Sequence, residues 1–434
     1  MAKKIIFIGY SWSQHRKIDF YQQGLVNAFS DLGYEVHIIS INEICPKGSV
    51  IGISKDFSSK KFSEVLESIK PDFLVSMNHA GLFNEVLTSK KYPIMDLIVD
   101  ELSHLFIPDA LIADNFFSNN TFIITTNSRS YKHFRHVCPK IVSDHVSLSP
   151  CVSDLLKNPN VKQKYNISFI GSFLETAKAE FIFWKASIHK DKEVLKNIIA
   201  LMAELTHDYH ADFDKLVTKH DLNDFFKELA LEHKDVKYYL SNHISSRLRL
   251  DTITKLSSLG LRLYGNDLWL ETLSHTPKVL ECFRPGSLLT SRDELCHVYN
   301  SSKLSIHISQ VQVPGSLSYR IYDIMKSNSL LILPWNKNSD AFTFFGKDCP
   351  IPMYKDLDHL YKLCEYYLDH EDERLELVKK CNDLVTSGFS YQDSAQQMLK
   401  LANLNFESNG LSSTTDVKYV SSDQFKKSLF DIFR

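Results

Sequence analysis

The sequence lacks the features that mark several large classes of protein. Its eight cysteines are scattered singly, without a C-x-x-C pair, which excludes a dense disulfide framework and favours reduced thiols in a cytoplasm. The 50 basic and 52 acidic residues nearly cancel, so no overall field attracts nucleic acid or an anionic membrane. The first apolar run, Ile5–Ile8, is far shorter than the ~20 residues of a membrane span. We therefore expect a cytoplasmic protein without an integral membrane segment.

Several catalytic motifs are also missing. The loop after the first predicted strand has no G-x-G-x-x-G fingerprint, and the chain contains no P-loop, G-x-S-x-G or H-E-x-x-H motif. These absences argue against kinase, hydrolase and zincin activities. Two histidine pairs, His133/His136 and His207/His210, lack a third ligand at a fixed spacing, so solvated helix faces explain them better than a metal site. We predict no protein-held metal and no cofactor.

What the chain does contain is a repeated alternation of strand and helix. Its 434 residues exceed what one core usually supports, so two domains of about 200 residues are expected. Strands that are apolar on both faces alternate with helices from residue 4 to residue 125, and this pattern predicts a parallel, doubly wound sheet. We assign residues 1–155 to this first Rossmann-like lobe.

A second lobe is predicted over residues 165–404. It begins with a strand after a polar linker, and strands return at Leu261, Leu304 and Leu330 with helices between them. Residues 177–258 contain neither glycine nor proline and are rich in helix-forming residues, so we predict a helical insertion there. Residues 405–434, which are rich in serine, are expected to form a C-terminal tail.

Candidate functional residues of the first lobe lie where its strands end, because open parallel sheets bind ligands outside the carboxyl ends of their strands. Ser11 and His15 belong to the polar loop after the first strand and could hold an acceptor. His79 and Asp100 follow later strands and are the residues best able to take a proton from a hydroxyl. Both residues could equally well be ordinary strand-end residues whose side chains bond to nearby backbone amides.

The second lobe offers an anion site. Gly171 and Ser172 end its first strand, where a diphosphate could approach the backbone, although a tight turn is an equal alternative. Gly315 and Ser316 lead a loop into a helix, whose free amides and positive end would suit a phosphate.

That helix also carries a charged pair. Arg320 and Asp323 lie one turn apart, and they suit a diphosphate and ribose hydroxyls respectively. The same spacing also fits a purely structural role, in which the helix is capped at its N-terminus and the two residues form an ion pair within it.

The order and spacing of several segments resemble the CgeB-like glycosyltransferases, a family of the spore maturation protein type. The segments that carry the resemblance are residues 70–76, 99–100, 165–172, 263–265, 298–307, 318–333, 354–360, 367–374 and 389–393. The resemblance implies the GT-B fold, in which two Rossmann-like lobes face a cleft, the first binding the acceptor and the second the nucleotide sugar. It also implies that no metal is required, that Asp323 binds the donor ribose, and that the preceding loop binds the diphosphate.

The sequence departs from that family at two places. Asp323 stands where such families commonly carry Glu, and Ser327-Asn328 stands where they favour Ala-x-Gly. The shorter carboxylate reaches one methylene less far, so the donor could sit differently or contact Arg320 instead.

The leading hypothesis is a nucleotide-sugar-dependent hexosyltransferase that acts on a hydroxyl of a glycan, small molecule or protein, with a UDP-, GDP- or other nucleotide sugar as donor. Arg320 and the Gly171-Ser172 and Gly315-Ser316 amides would stabilise the leaving nucleotide. A non-catalytic nucleotide-sugar or glycan-binding protein and a GT-B-fold sugar-nucleotide epimerase remain alternatives. The sequence leaves open the donor, the acceptor and whether the anomeric configuration is retained or inverted.

Overall fold

The computed structural model describes most of the second half of the chain and the sheet of the first half. The residues described are 3–11, 18–41, 59–78, 92–99, 121–125, 146–147, 158, 160–289, 291–386, 388–401 and 417–425. The chain divides into two compact units. The first comprises Met1–Asp154, Leu317–Tyr322 and Thr386–Arg434, and the second comprises Leu155–Ser316 and Asp323–Val385.

The first unit is built on a parallel sheet with the strand order β12-β2-β1-β3-β4-β5-β6, in which β12 is the C-terminal strand Val417–Tyr419. The side chains of β1 are buried on both faces because helices cover the sheet, as the continuous apolar run predicted. Its elements before residue 150 are β1 Lys4–Gly9, α1 Phe20–Asp31, β2 Glu35–Ser40, α2 Ser59–Ile69, β3 Phe73–Met77, β4 Ile94–Ile98, β5 Thr121–Thr125 and β6 Val146–Ser147.

The second unit contains a parallel five-stranded sheet with the order β11-β10-β9-β7-β8. Its strands are β7 Tyr165–Ile170, β8 Leu261–Tyr264, β9 Ser302–Ile306, β10 Leu330–Pro334 and β11 Met353–Tyr354. The helices between and after β8 to β11 are α8 Leu268–Leu273, α9 Pro277–Leu280, α10 Arg292–Asn300, α11 Tyr319–Met325, α12 Asp340–Phe345, α13 Leu357–Asp369 and α14 Glu371–Leu384. Helix α11 is divided, with its residues up to Tyr322 in the first unit and those from Asp323 in the second.

The predicted helical insertion is present between β7 and β8. It consists of α3 Ala177–Ile188, α4 Glu193–His207, α5 Phe213–Lys219, α6 Asn223–Glu228 and α7 His233–Leu256. These helices bury a core of their own, in which Ile182, Leu201 and Phe226 have no exposed surface. Among the described helices none is long and apolar enough to cross a membrane.

The C-terminal segment completes the first unit. Helix α15, Tyr391–Leu401, packs on α1, and β12, Val417–Tyr419, pairs in parallel with β2. Gly24 of α1 lies so close to the ring of Tyr391 that an added Cβ would be 2.4 Å from it. The compact units therefore differ from the predicted bounds, which gave α15 to the second lobe and made residues 405–434 a separate tail. Local patterns predict a helix and a short strand but do not specify their distant partners.

Burial of His243 on α7 makes the stability of the helical insertion depend on pH. Burial lowers the pKa of His243, whose ring lies 5.0 Å from that of Phe183 and whose Nδ1 has no hydrogen-bond partner among the described residues. The unfolded chain protonates this histidine near pH ~6.5, before the folded chain does. We expect the free energy of unfolding to be fully retained above that pH and to fall as the pH drops below it.

The variant His243→Gln should flatten this pH dependence in urea unfolding followed between pH 7.5 and 5. His207→Gln, at an exposed position of α4, is the matched control and should leave the slope unchanged. An unaltered slope in His243→Gln would contradict the assignment.

Candidate functional site

The five-stranded sheet has a point at which its chain connections diverge. From β7 the chain crosses to β8 on one side, and it then returns to β9 on the other side of β7 before moving outward to β10 and β11. Ligands of open parallel sheets bind outside the carboxyl ends of the strands at such a switch point. Here the loops after β7 and β9 flank it. These loops contain Gly171-Ser172 and Gly315-Ser316, so the fold brings the two predicted anion-binding segments to one edge.

The loop after β7 is held tightly by its own backbone. The amide of Gly171 donates to the carbonyl of Tyr264 at 2.8 Å, and the carbonyl of Gly171 accepts from Trp269 Nε1 at 2.7 Å. Gly265 must lack a side chain, because a Cβ there would lie 2.4 Å from the Gly171 oxygen. The prediction that the Gly171 amide faces a phosphate therefore needs correction, since that amide continues the pairing of β7 with β8. Ser172 remains the candidate in this loop.

The loop after β9 is fixed by the start of α12. Gly315 has a φ of +78°, which glycine adopts at little cost, and its carbonyl accepts from the amide of Asp340 at 2.9 Å and from Ser339 Oγ at 3.2 Å. The amide and hydroxyl of Ser316 both donate to the carbonyl of Val313, at 3.2 and 3.0 Å. The predicted Ser316 donors are thus used within their own turn, which shapes the loop.

A buried polar face of α7 connects the two loops. Ser245 Oγ accepts from the amide of Val311 at 3.1 Å, in the loop after β9. On the side of β7, Ser246 Oγ accepts from the amide of Leu174 at 3.0 Å, and Arg249 Nη1 donates to the carbonyl of Ser172. The three α7 side chains are buried. One helix of the insertion therefore sets the positions of both loops at the switch point and places a guanidinium beside one of them.

Sequence reasoning missed this face because it assigned residues 177–258 only as helices. The signal was available in the spacing. Asn242, Ser245, Ser246 and Arg249 recur at i, i+3, i+4 and i+7, the positions that apolar side chains usually fill on a buried helix face.

The predicted charged pair lies on α11. Arg320 is partly exposed, whereas Asp323, one turn later, has no exposed surface. The guanidinium of Arg320 can therefore contact a ligand, whereas the carboxylate of Asp323 cannot do so while it is buried. Binding of a ribose by Asp323 accordingly stays a prediction.

A corresponding switch point lies between β1 and β3 of the first unit. Asn78, at the end of β3, adopts a φ of +52°, and its Nδ2 donates to the hydroxyl of Tyr10 at 2.6 Å. Its Oδ1 accepts from the amide of Val99 at 2.9 Å, so one side chain links the ends of β1, β3 and β4. Ser11 Oγ donates to Asp19 Oδ1 at 3.0 Å. Polar groups therefore converge where the acceptor loop was predicted.

The other predicted residues of the first lobe, His15, His79 and Asp100, lie outside the described residues. The sequence prediction passed over Asn78, although it directly precedes His79 at a strand end. Within the described part of the chain, no group of three or more His, Cys, Asp and Glu side chains is placed to hold a metal ion.

Comparison with known proteins adds a family match and a fold. Residues 247–400, about a third of the chain, match the family model described as glycosyl transferase-like. This stretch runs from the end of α7 through β8, β9 and their loops to α15. No curated protein sequence matches the chain.

Solved structures match over nearly the whole chain. A sucrose-phosphate synthase of Thermosynechococcus elongatus has a TM-score of 0.55 at 10% identity and covers 92% of this chain and 98% of its own. HepE of Anabaena, in complex with UDP-glucose, has a TM-score of 0.53 at 9% identity, with 92% and 99% covered. A glycosyltransferase of Rickettsia africae has a TM-score of 0.51 at 11% identity, with 93% and 98% covered. The chain therefore has the GT-B fold that the sequence predicted.

Proposed function

We propose that this protein is a glycosyltransferase that moves a hexose from a nucleotide-sugar donor to a hydroxyl of a glycan, small molecule or protein. The observation that carries the proposal is the coincidence of two findings at one place. The family match at residues 247–400 includes β9 and the loop after it, which form one side of the switch point of the second unit. We further propose membership of the CgeB-like group and a cytoplasmic location.

The second unit offers the donor side of this reaction. Breaking the bond between sugar and nucleotide leaves negative charge on the diphosphate, which fixed cations and hydrogen-bond donors stabilise. Arg249 is fixed beside the loop after β7, and Ser172 belongs to that loop. Gly315 completes the proposed diphosphate site within this unit. From the sequence we also propose Arg320 for the diphosphate and Asp323 for the ribose, and Asp323 would have to become exposed to bind it. HepE was solved with UDP-glucose, which supports a UDP-sugar as the first donor to test.

The first unit is the proposed acceptor side. Its polar switch point, with Ser11 and Asn78, suits a hydroxyl-rich acceptor because hydroxyls can both donate and accept there. His79 or Asp100 is the proposed base if the reaction inverts the anomeric carbon. We propose that protein groups stabilise the negative charge of the leaving nucleotide diphosphate, so that neither a metal nor a cofactor is needed.

A donor screen tests the proposal. The purified chain is incubated with UDP- and GDP-hexoses, with and without a cell lysate as acceptor source, and nucleotide release is measured in the presence and absence of EDTA. Nucleotide release that depends on acceptor and persists in EDTA is the expected result. Conversion of the donor sugar without acceptor would indicate an epimerase, and donor binding without turnover would indicate a binding protein. Absence of nucleotide release with every donor would contradict the proposal.

A further inference from the structure

Helix α3 of the insertion carries an exposed apolar stripe. Phe181, Trp184 and Ile188 are 42%, 54% and 57% exposed, and their spacing of three and four residues places them on one face. The opposite face of the helix, with Ile182 and Ala186, is buried in the core of the insertion. The helix is therefore apolar on two faces, of which the fold covers one.

Two lysines of α3 flank this stripe. Lys185 Nζ lies 5.6 Å from the centroid of the Phe181 ring and 5.1 Å from that of Trp184, and Lys178 is exposed one turn before Phe181. The neighbouring helix α4, which packs against α3, carries Ile199, which is 56% exposed.

The charge of this stretch differs in sign from that of the whole chain. Residues 177–199 contain five lysines and three acidic residues, a net charge of +2, against −2 for the chain. The apolar side chains of the stripe thus lie in a locally basic surface on a nearly neutral protein.

We propose that this stripe docks onto the headgroup region of a membrane that contains anionic lipids. Tryptophan and phenylalanine side chains partition into the boundary between headgroups and acyl chains. Lysine side chains lay their methylenes along apolar surface and extend the ammonium group to lipid phosphates. Each lysine near an anionic surface adds electrostatic attraction to it. The protein lies on the membrane through α3 without spanning it.

Area and charge disfavour a second copy of the chain as the occupant. With roughly 200 Å² for each large apolar side chain, the four exposed side chains offer on the order of 400 Å². A stable dimer usually buries about 800 Å² on each partner. Two copies facing each other would also bring their lysines together, whereas a lipid surface needs only a few inserted side chains and supplies the opposite charge.

Cosedimentation of the full chain with lipid vesicles tests the proposal, and it needs no sugar donor, so it is independent of the proposed function. We expect binding to vesicles of phosphatidylcholine with phosphatidylglycerol and at least tenfold weaker binding to phosphatidylcholine alone. The double variant Phe181→Ser/Trp184→Ser should lower binding at least tenfold. Leu375→Ser, at a 45% exposed leucine of α14, is the matched control and should bind like the unmodified chain. Circular dichroism checks that each variant is folded.

Tryptophan fluorescence supplies a second readout. Trp184 and Trp335 are both exposed, so an emission shift on adding anionic vesicles should be lost in Trp184→Phe and kept in Trp335→Phe. Full binding by the double variant, equal binding to both vesicle types, or no binding to either would overturn the proposal. Self-association of the unmodified chain that the double variant abolishes would also overturn it and would identify a second copy as the occupant.

Discussion

Replacing Arg249 by Met should raise the KM for the nucleotide-sugar donor about tenfold or more and lower the free energy of unfolding by about 1–3 kcal/mol. Met fills much of the same buried volume, but it leaves the carbonyl of Ser172 without the guanidinium that holds it. The loop after β7 then loses both its position and the nearby positive charge. Donor titrations in the transfer assay and urea unfolding measure the two effects.

Two further variants separate a positioning role from a purely structural one. Arg247→Met removes an exposed arginine two residues away on α7, whose partner is Asp251, and should change stability by less than ~0.5 kcal/mol with KM unaltered. Arg249→Lys keeps the charge and should recover part of the donor affinity. If Arg249→Met lowers stability but leaves the donor KM unchanged, its role is structural only.

Ending the chain after Val385 should unfold the first unit. The truncation removes Tyr391, Met398 and Leu399, which are buried in the core against α1, and their burial contributes about 5–9 kcal/mol at 1.5–3 kcal/mol for each large side chain. That sum is comparable with the whole stability of a typical domain, about 5–15 kcal/mol. Limited proteolysis with mass spectrometry should show cleavage throughout residues 1–154 of the truncated chain.

A graded series controls this experiment. A chain that ends after Leu401 keeps α15 and loses β12, so it should retain a protected but less stable first unit. Within the full chain, Met398→Ala should cost about 2–5 kcal/mol, whereas Gln397→Ala, at an exposed neighbour, should stay within about 0.5 kcal/mol. Full protection of residues 1–154 after truncation at Val385 would contradict the assignment of α15.

The elements that sequence predicted best are those whose signal is local. The strands predicted between residues 4 and 125 are present, from β1 at Lys4 to β5, which ends at Thr125, because a short run of apolar residues defines a buried strand. The place of β12 could not be predicted in this way. Its pairing of Val417 with Val36 joins residues that no local pattern connects.

The candidate site also combines features that a local sequence pattern predicts with features that depend on distant partners. Strand-end reasoning put Ser172 and Gly315 in the loops after β7 and β9, and the topology has both loops at the carboxyl edge of the second sheet. It could not show that the amides of Gly171 and Ser316 are already used, because strand register and turn geometry decide that. Arg249 was missed because its importance comes from a contact 77 residues distant in sequence.

The discontinuity of the first unit has a consequence for the order in which the chain is synthesised and folded. Residues 155–385 emerge from the ribosome after the first six strands of the N-terminal sheet but before α15 and β12. Domains usually fold as units while synthesis proceeds, yet this N-terminal sheet cannot pair the outer edge of β2 until Val417–Tyr419 are made. The second unit should therefore fold first, and until α15 and β12 are made the uncovered face of α1 and the open edge of β2 should be the surfaces that a chaperone recognises.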